Sequence, residues 1–336
     1  MGARGPAKRT MNLPAVLRPP AALAAAVLCL SALAQGGPSD KPLKAILPVG
    51  AGSGVDTIVR AIGPSLSKAL NGQPVVVENL PGAGGVTGTH AIVKAMPDGY
   101  TIGIVSNNHV INPSVYRKMP FDSQNDITPI MVVGTTPFVL VVNPNRLPVK
   151  DARELVAALK AKPDVYNYAS SGNGTILHLA GEMFLDAAGA TSRHIPYKGV
   201  GPMVTDLLGG QVDWGVLALP AVQQHIRTGA LRPIGIPSPA RVPAAPDIPT
   251  FAEQGMPSYL VGGWFAVVGP ARLPAADVKH IHAAFAAAMA MPEVQEAMAK
   301  QGNVINPSTP EAAGAFFRSE QDRYAKLVQK AGVKLD

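Results

Sequence analysis

Two stretches of this chain combine glycine with small hydroxyl residues in a loop that leaves a short strand and opens a helix: Gly50-Ala51-Gly52-Ser53-Gly54-Val55-Asp56 and Ser170-Ser171-Gly172-Asn173-Gly174-Thr175. The chemistry such a pattern supports is the capture of an anion without covalent change. The first N–H groups of a helix have no carbonyl one turn behind them and lie at the positive end of its dipole, while glycine lets a ligand approach the backbone. Two cradles facing each other are expected to hold a small molecule that carries a carboxylate. A hydrolytic reading is weaker, because no G-x-S-x-G elbow occurs: Ala51 stands two before Ser53 and Ala169 two before Ser171. A triad assembled in space would leave no such local trace, so a periplasmic hydrolase stays open as a remote alternative. No G-x-G-x-x-G follows a strand and opens a helix with an acid downstream, and there is no P-loop lysine, so no cofactor is expected. The histidines His90, His109, His178, His194, His225, His280 and His282 have no metal-ligand spacing, and no metal is expected.

The elements that must position these loops are short β-branched runs alternating with amphipathic helical patterns, which predicts an α/β fold with largely parallel sheets. Strands are expected over 44–47, 74–78, 101–105, 138–142, 165–169, 212–217 and 265–268. Val55, Ile58, Val59, Ile62 and Leu66 fall at helical spacing, with a kink or stagger expected at Gly63-Pro64. Asp151 with Glu154 resembles a capping box, continued by Leu155, Val156 and Leu159. After the second loop, Leu177, Ala180, Met183, Phe184 and Ala187 form another stripe, and late helices opened by Pro292 and Pro310 supply packing. A chain of this length usually exceeds one hydrophobic core. With no low-complexity linker in sight, the strands themselves are expected to cross between two domains.

Arg4, Lys8, Arg9 and Arg18 precede an apolar run from Ala21 to Leu33 and an A-x-A pattern at Ala32-Leu33-Ala34, which reads as an export signal over 1–34. The run is too short for a membrane span of about 20 residues. Met1 and Met11 are both possible starts, and Cys29, preceded by Leu28, lacks the small residue that a lipoprotein signal wants. Cleavage after Ala34 leaves 302 residues without cysteine and removes four basic residues and no acid, taking the formal charge from +7 to +3. Scattered basic residues without a basic, aromatic-laced helix exclude nucleic acid as the expected partner.

Several stretches together carry a family resemblance. They are Leu47-Pro48 through Gly52 to Asp56 and Arg60, Val77-Glu78-Asn79-Leu80-Pro81-Gly82-Ala83-Gly84-Gly85, Pro97-Asp98-Gly99-Tyr100-Thr101, Tyr168-Ala169-Ser170-Ser171-Gly172, His194-Ile195-Pro196-Tyr197-Lys198-Gly199 and Asp206-Leu207-Leu208-Gly209-Gly210-Gln211-Val212-Asp213, followed by the run from Pro246 to Gly255. In this order the sequence resembles the Bug-type receptors, the extracytoplasmic substrate-binding components of tripartite tricarboxylate transporters. The resemblance implies a periplasmic-binding-protein type II fold: two α/β lobes, 40–138 plus 258–336 and 139–257, joined by two crossover strands around a ligand cleft. It also implies a monomer in the periplasm that delivers a small carboxylate to membrane subunits of a tripartite transporter, or presents it to a membrane sensor kinase. Dicarboxylates, tricarboxylates, amino acids and aromatic acids all suit such a cleft. The first loop departs from the family's usual pattern, with Ala51 where a proline is common, Ser53 where a second glycine is, and Val55 where a hydroxyl residue is.

The expected ligand-binding residues are Gly50, Ala51, Gly52, Ser53, Gly54 and Asp56 in the first loop, Ser106, Asn107 and His109 after the third strand, and Ser170, Ser171, Gly172, Asn173 and Thr175 in the second loop. Asp56 suits both a ligand ammonium or water and a plain helix-dipole role. The segment 106–109 reads either as a solvated turn or as cleft mouth, and pockets at the carboxyl ends of parallel strands favour the cleft. His178 is expected to brace the second loop, Pro81 to Gly85 to support the first lobe, and Tyr197 with Lys198 to close over ligand or to form a packing turn.

Overall fold

The β-branched runs pair into two mixed sheets in a computed structural model that describes residues 1–3, 5 and 41–333. The leader read over 1–34 lies outside the described residues, apart from 1–3 and 5. In the first sheet, β1 (Leu43–Leu47) pairs in parallel with β2 (Val75–Asn79) and β3 (Thr101–Ser106). Beyond β3, the strands β4 (Ile127–Thr136), β10 (Gly263–Pro270) and β11 (Val304–Ile305) add antiparallel, giving the order β11-β4-β10-β3-β1-β2. In the second sheet, β6 (Asn167–Ser170) pairs in parallel with β7 (Arg193–Pro196) and β8 (Trp214–Ala218). There β5 (Phe138–Val142) runs antiparallel to β8 and β9 (Arg232–Gly235), and the order is β7-β6-β8-β5-β9.

The expectation of largely parallel sheets is thereby corrected. The chain passes from β4 to β5 through Pro137 alone, so β5 arrives from the other sheet and not through a βαβ crossover, the connection that enforces parallel pairing. The return runs from β9 to β10. The strands β5, β8 and β10 are buried along their whole lengths.

Helix α1 (Gly54–Ala69) buries Val55, Ile58, Val59, Ile62 and Leu66, as its spacing predicts. It runs on through Pro64, where the sequence suggested a kink; Pro64 and Arg60 are both exposed, so the carbonyl left without a donor can turn to water. A 3-10 turn (Ala83–Gly85) leads into α2 (Val86–Val93), and α3 (Asn108–Val115) follows β3. In α4 (Ala152–Ala161), Asp151 Oδ1 accepts from the N–H of Glu154 at 2.8 Å, and Glu154 in turn accepts from Lys150 at 2.8 Å, a capping box displaced by one residue. Helix α5 (Ile176–Ala188) follows β6, α6 (Val200–Leu208) follows β7 and α7 (Leu219–Arg227) follows β8. The chain closes with α8 (Ala275–Ala290), α9 (Pro292–Lys300) and α10 (Pro310–Ala331). Among the described residues no helix is long and apolar enough to cross a membrane.

Candidate functional site

The first loop is shaped by its own capping residues. Ser53 caps α1 by accepting the N–H of Asp56 at 3.2 Å through its hydroxyl and that of Thr57 at 3.0 Å through its carbonyl. The Asp56 carboxylate folds back, accepting from the Gly52 N–H at 3.0 Å, the Arg60 Nε at 2.9 Å and the Asn79 amide at 3.0 Å. These bonds occupy both carboxylate oxygens, and Asp56 is buried outside the cavity lining. Asp56 therefore holds the loop in shape from outside the cavity lining. Gly52, at φ +77°, makes the turn with open space around it.

The second loop is built in the same way. Thr175 caps α5, accepting from the His178 N–H at 3.4 Å with its hydroxyl and from the Leu179 N–H at 3.0 Å with its carbonyl. The Gly174 N–H donates to His178 Nδ1 at 3.0 Å, so His178 braces this loop as its position suggested. Ser170 is fully buried behind the loop, with Oγ 2.7 Å from His194 Nε2 and accepting from the Gly172 N–H at 3.1 Å. The His178 and His194 rings stack at 3.9 Å and 5°. Burial pushes His194 down to about 4, and burial together with the neighbouring His194 pushes His178 down to about 3, so both imidazoles are neutral at neutral pH.

Between the loops lies a cavity of about 590 Å³, lined by Gly50 and Ser53 of the first loop and Ser171, Gly172, Asn173 and Thr175 of the second. The sequence reading missed much of the remaining lining: Pro48, Val49, Asn108, Tyr116, Pro196 and Val200. Pro81 to Gly85, expected to support the first lobe, forms one wall, and Tyr197, Lys198 and Gly199 form another. Lys198 is the one charged side chain in this lining, and no carboxylate lines it. A second depression, of about 620 Å³, lies between the C-terminal halves of α5 and α10, remote from both loops, and gathers no helix N-terminus.

An inner chamber of about 70 Å³ adjoins the cavity through Val49, Ser53, Asn108, Ser171 and Val200, and takes in Gly54, Ser106 and Asn107. Asn107 is committed elsewhere: its amide donates to Tyr324 Oη at 2.7 Å and to the Gly262 carbonyl at 3.2 Å, and its oxygen accepts from Trp264 at 3.1 Å. His109 reaches only a void of about 10 Å³, with Nε2 2.7 Å from the Ser123 carbonyl, and burial pushes it down to about 4. Ala51, Gly52, Asp56 and Ser170 line neither the cavity nor the chamber. Asn107 therefore lines the chamber with its amide bonded to protein groups, while His109 lines neither the cavity nor the chamber and its Nδ1 has no hydrogen-bond partner among the described residues. Their neighbour Asn108 lines both spaces, and its Oδ1 accepts from the Ile176 N–H at 2.8 Å, tying the end of β3 to the start of α5.

Two mixed α/β sheets joined directly by crossing strands, with loop backbone at strand carboxyl ends turned into a cavity, define a periplasmic-binding-protein type of receptor. Residues 58–333 match the family described as Tripartite tricarboxylate transporter family receptor. Protein BugT of Bordetella pertussis is 37% identical over 297 residues, covering 88% of this chain and 90% of BugT. Two solved structures share the fold: an R. palustris protein with adipate, at a TM-score of 0.84 and 29% identity over 87% of this chain and 98% of that one, and MatC from Rhodopseudomonas palustris with bound malate, at 0.80 and 25% over 85% and 98%. The chain belongs to the tripartite tricarboxylate transporter receptor family, as a Bug-type solute-binding protein and not an enzyme.

Proposed function

We propose that this protein captures a small carboxylate in the periplasm and delivers it to the membrane subunits of a tripartite tricarboxylate-type transporter. The observation that carries this reading is the 590 Å³ cavity, which both glycine loops line and in which a lysine is the one charged side chain. An anion there would meet helix N-termini and a cation with no acid to repel it. The relatives with adipate and malate, both carboxylates, support the same ligand class.

We further propose that 40–138 with 258–336, and 139–257, act as two lobes of a monomer that close on ligand by bending at the crossings between β4 and β5 and between β9 and β10. Contacts across the cleft support this motion. The Gly50 Cα lies 3.9 Å from the Cβ position of Gly199, and a Cβ on Gly54 would stand 2.7 Å from that of Ala218. The test is the thermal midpoint of the protein, unfolded and refolded to strip carried ligand, against mono-, di- and tricarboxylates and amino acids. A ligand at a hundred times its dissociation constant adds about 2.7 kcal/mol, which raises the midpoint of a chain this size by about 4 °C. A selective rise with one carboxylate is expected; a flat response across the whole panel from a folded protein refutes the carboxylate reading.

A further inference from the structure

Negative charge is attracted at two separate places along the cleft. The first residues of α1 and α5, Gly54 and Ile176, line the inner chamber and not the outer cavity, so the positive ends of both helices lie at the inner end. Lys198 lines the outer cavity and not the chamber. It is exposed, and its ammonium has no hydrogen bond or ion pair among the described residues. The backbone on either side of it is fixed: the Tyr197 N–H donates to the Ser170 carbonyl at 3.0 Å and the Gly199 N–H to the Ser171 carbonyl at 3.2 Å. Lys198 is therefore carried on the second loop by its neighbours' bonds. Tyr197 Oη donates to Asp206 Oδ2 at 2.8 Å, which engages that carboxylate away from the lysine. The other wall, Pro81 to Gly85, offers neither charge nor side-chain polarity. At about 590 Å³ the outer cavity has room for more than a head group.

We propose that Lys198 sets the specificity of the cleft by pairing with a second anionic group at the outer end of the ligand, so that the substrate class is the dicarboxylates. This rests on the carboxylate reading above and adds the second charge to it. Closing the lobes around a ligand strips water from the ammonium. A dicarboxylate brings a counter-charge to it, whereas a monocarboxylate of the same length places a methyl group there and leaves the cation unpaired. No acid in the lining can take the ligand's place.

The test titrates wild type, Lys198→Met and Lys198→Arg by calorimetry with acids paired so that each pair differs in one carboxylate: succinate with butyrate, glutarate with pentanoate and adipate with hexanoate, beside the rest of the panel. Weak monoacids are measured by competition against the diacid. Wild type is expected to bind the diacid of at least one pair about tenfold or more tighter than its monoacid. Lys198→Met keeps most of the stem and removes the charge. Its diacid affinity should fall about five- to a hundredfold, between the range for an exposed ion pair and that for a hydrogen bond to a charged group, and the preference over the monoacid should shrink by the same factor. Lys198→Arg restores the charge and should bind the diacid within about threefold of wild type. The ligand-free thermal midpoint should stay level in both variants, because the ammonium has no protein partner to lose. A methionine variant that loses diacid and monoacid affinity alike would make Lys198 a general attractor of anions, and one that binds the diacid as tightly as wild type would make it a solvated wall residue. Either result overturns the assignment while the receptor function stands, as does a strongest wild-type ligand with a single carboxylate. If wild type binds no acid of the panel, the carboxylate reading fails and the assignment with it.

Discussion

Replacing Gly54 by alanine isolates closure from chemistry. Gly54 is the first residue of α1 and its φ is not in the left-handed region, so alanine suits the backbone there and keeps the N–H. The added Cβ would stand 2.7 Å from Ala218 Cβ, at the end of β8 across the cleft. Carbon atoms sit comfortably at roughly 3.5–4.0 Å, so the two sides must separate by about 1 Å to admit the methyl. Overpacking of this kind costs about 1–3 kcal/mol. In the proposed cycle that cost falls on the closed form alone, since opening withdraws Ala218 from α1. Affinity should therefore fall about 5- to 150-fold, while the ligand-free protein keeps its thermal midpoint or gains slightly from the better helix former. Calorimetric titration measures the first effect, thermal unfolding the second, and small-angle scattering with saturating ligand should show a less compact complex than wild type. Wild-type affinity in a folded Gly54→Ala protein would refute the argument that ligand is held with α1 pressed against Ala218.

Two further outcomes follow from the geometry. Asp56→Ala removes the acceptor shared by the Gly52 N–H, Arg60 and Asn79; it should cost about 2–3 kcal/mol in urea unfolding, and a loss under about 0.5 kcal/mol would show that the loop holds itself. Stability should also decline on mild acidification. His109, His178 and His194 have an ordinary value of 6.5 and are held at about 4, 3 and 4. The unfolded chain therefore binds more protons than the fold between about 4 and 6.5, so the contribution is complete above 6.5 and is lost as pH falls through that window. His109, fully enclosed, alone accounts for about 2 kcal/mol between pH 7.5 and 5, read from urea midpoints at the two values. A flat profile over that interval would mean that these histidines are not held neutral.

Local pattern was legible where neighbours in sequence decide the outcome. The stripe from Val55 to Leu66 buries the face its spacing predicts, and 138–142 is a strand with the expected ends. Both glycine loops open helices under hydroxyl caps, as their composition suggested. What was missed depends on partners far along the chain. The strand 127–136 contains Pro129 and Gly134, which argue against a strand by propensity, yet both are accommodated in pairings to β10 and β11. Asn107, Asn108 and His109 are three adjacent polar residues with one local signature and three fates: a clasp on Tyr324 and Trp264, a bridge to α5, and a buried ring against Ser123. Only the positions of segments some 14 to 217 residues away separate them.

By itself the sequence determined that this chain builds an α/β fold with two glycine loops that open helices under hydroxyl caps, because glycine, hydroxyl caps and apolar periodicity act over a few residues and need no knowledge of the rest. Tertiary structure alone decided which polar atoms find partners. Asp56 spends its carboxylate on Gly52, Arg60 and Asn79, whereas Thr136, in a strand and carrying no motif, keeps a buried hydroxyl without a partner among the described residues. The physical reason is that hydrogen-bond satisfaction is settled by whatever the fold brings within about 3 Å, and that distance is set across the cleft and not along the chain.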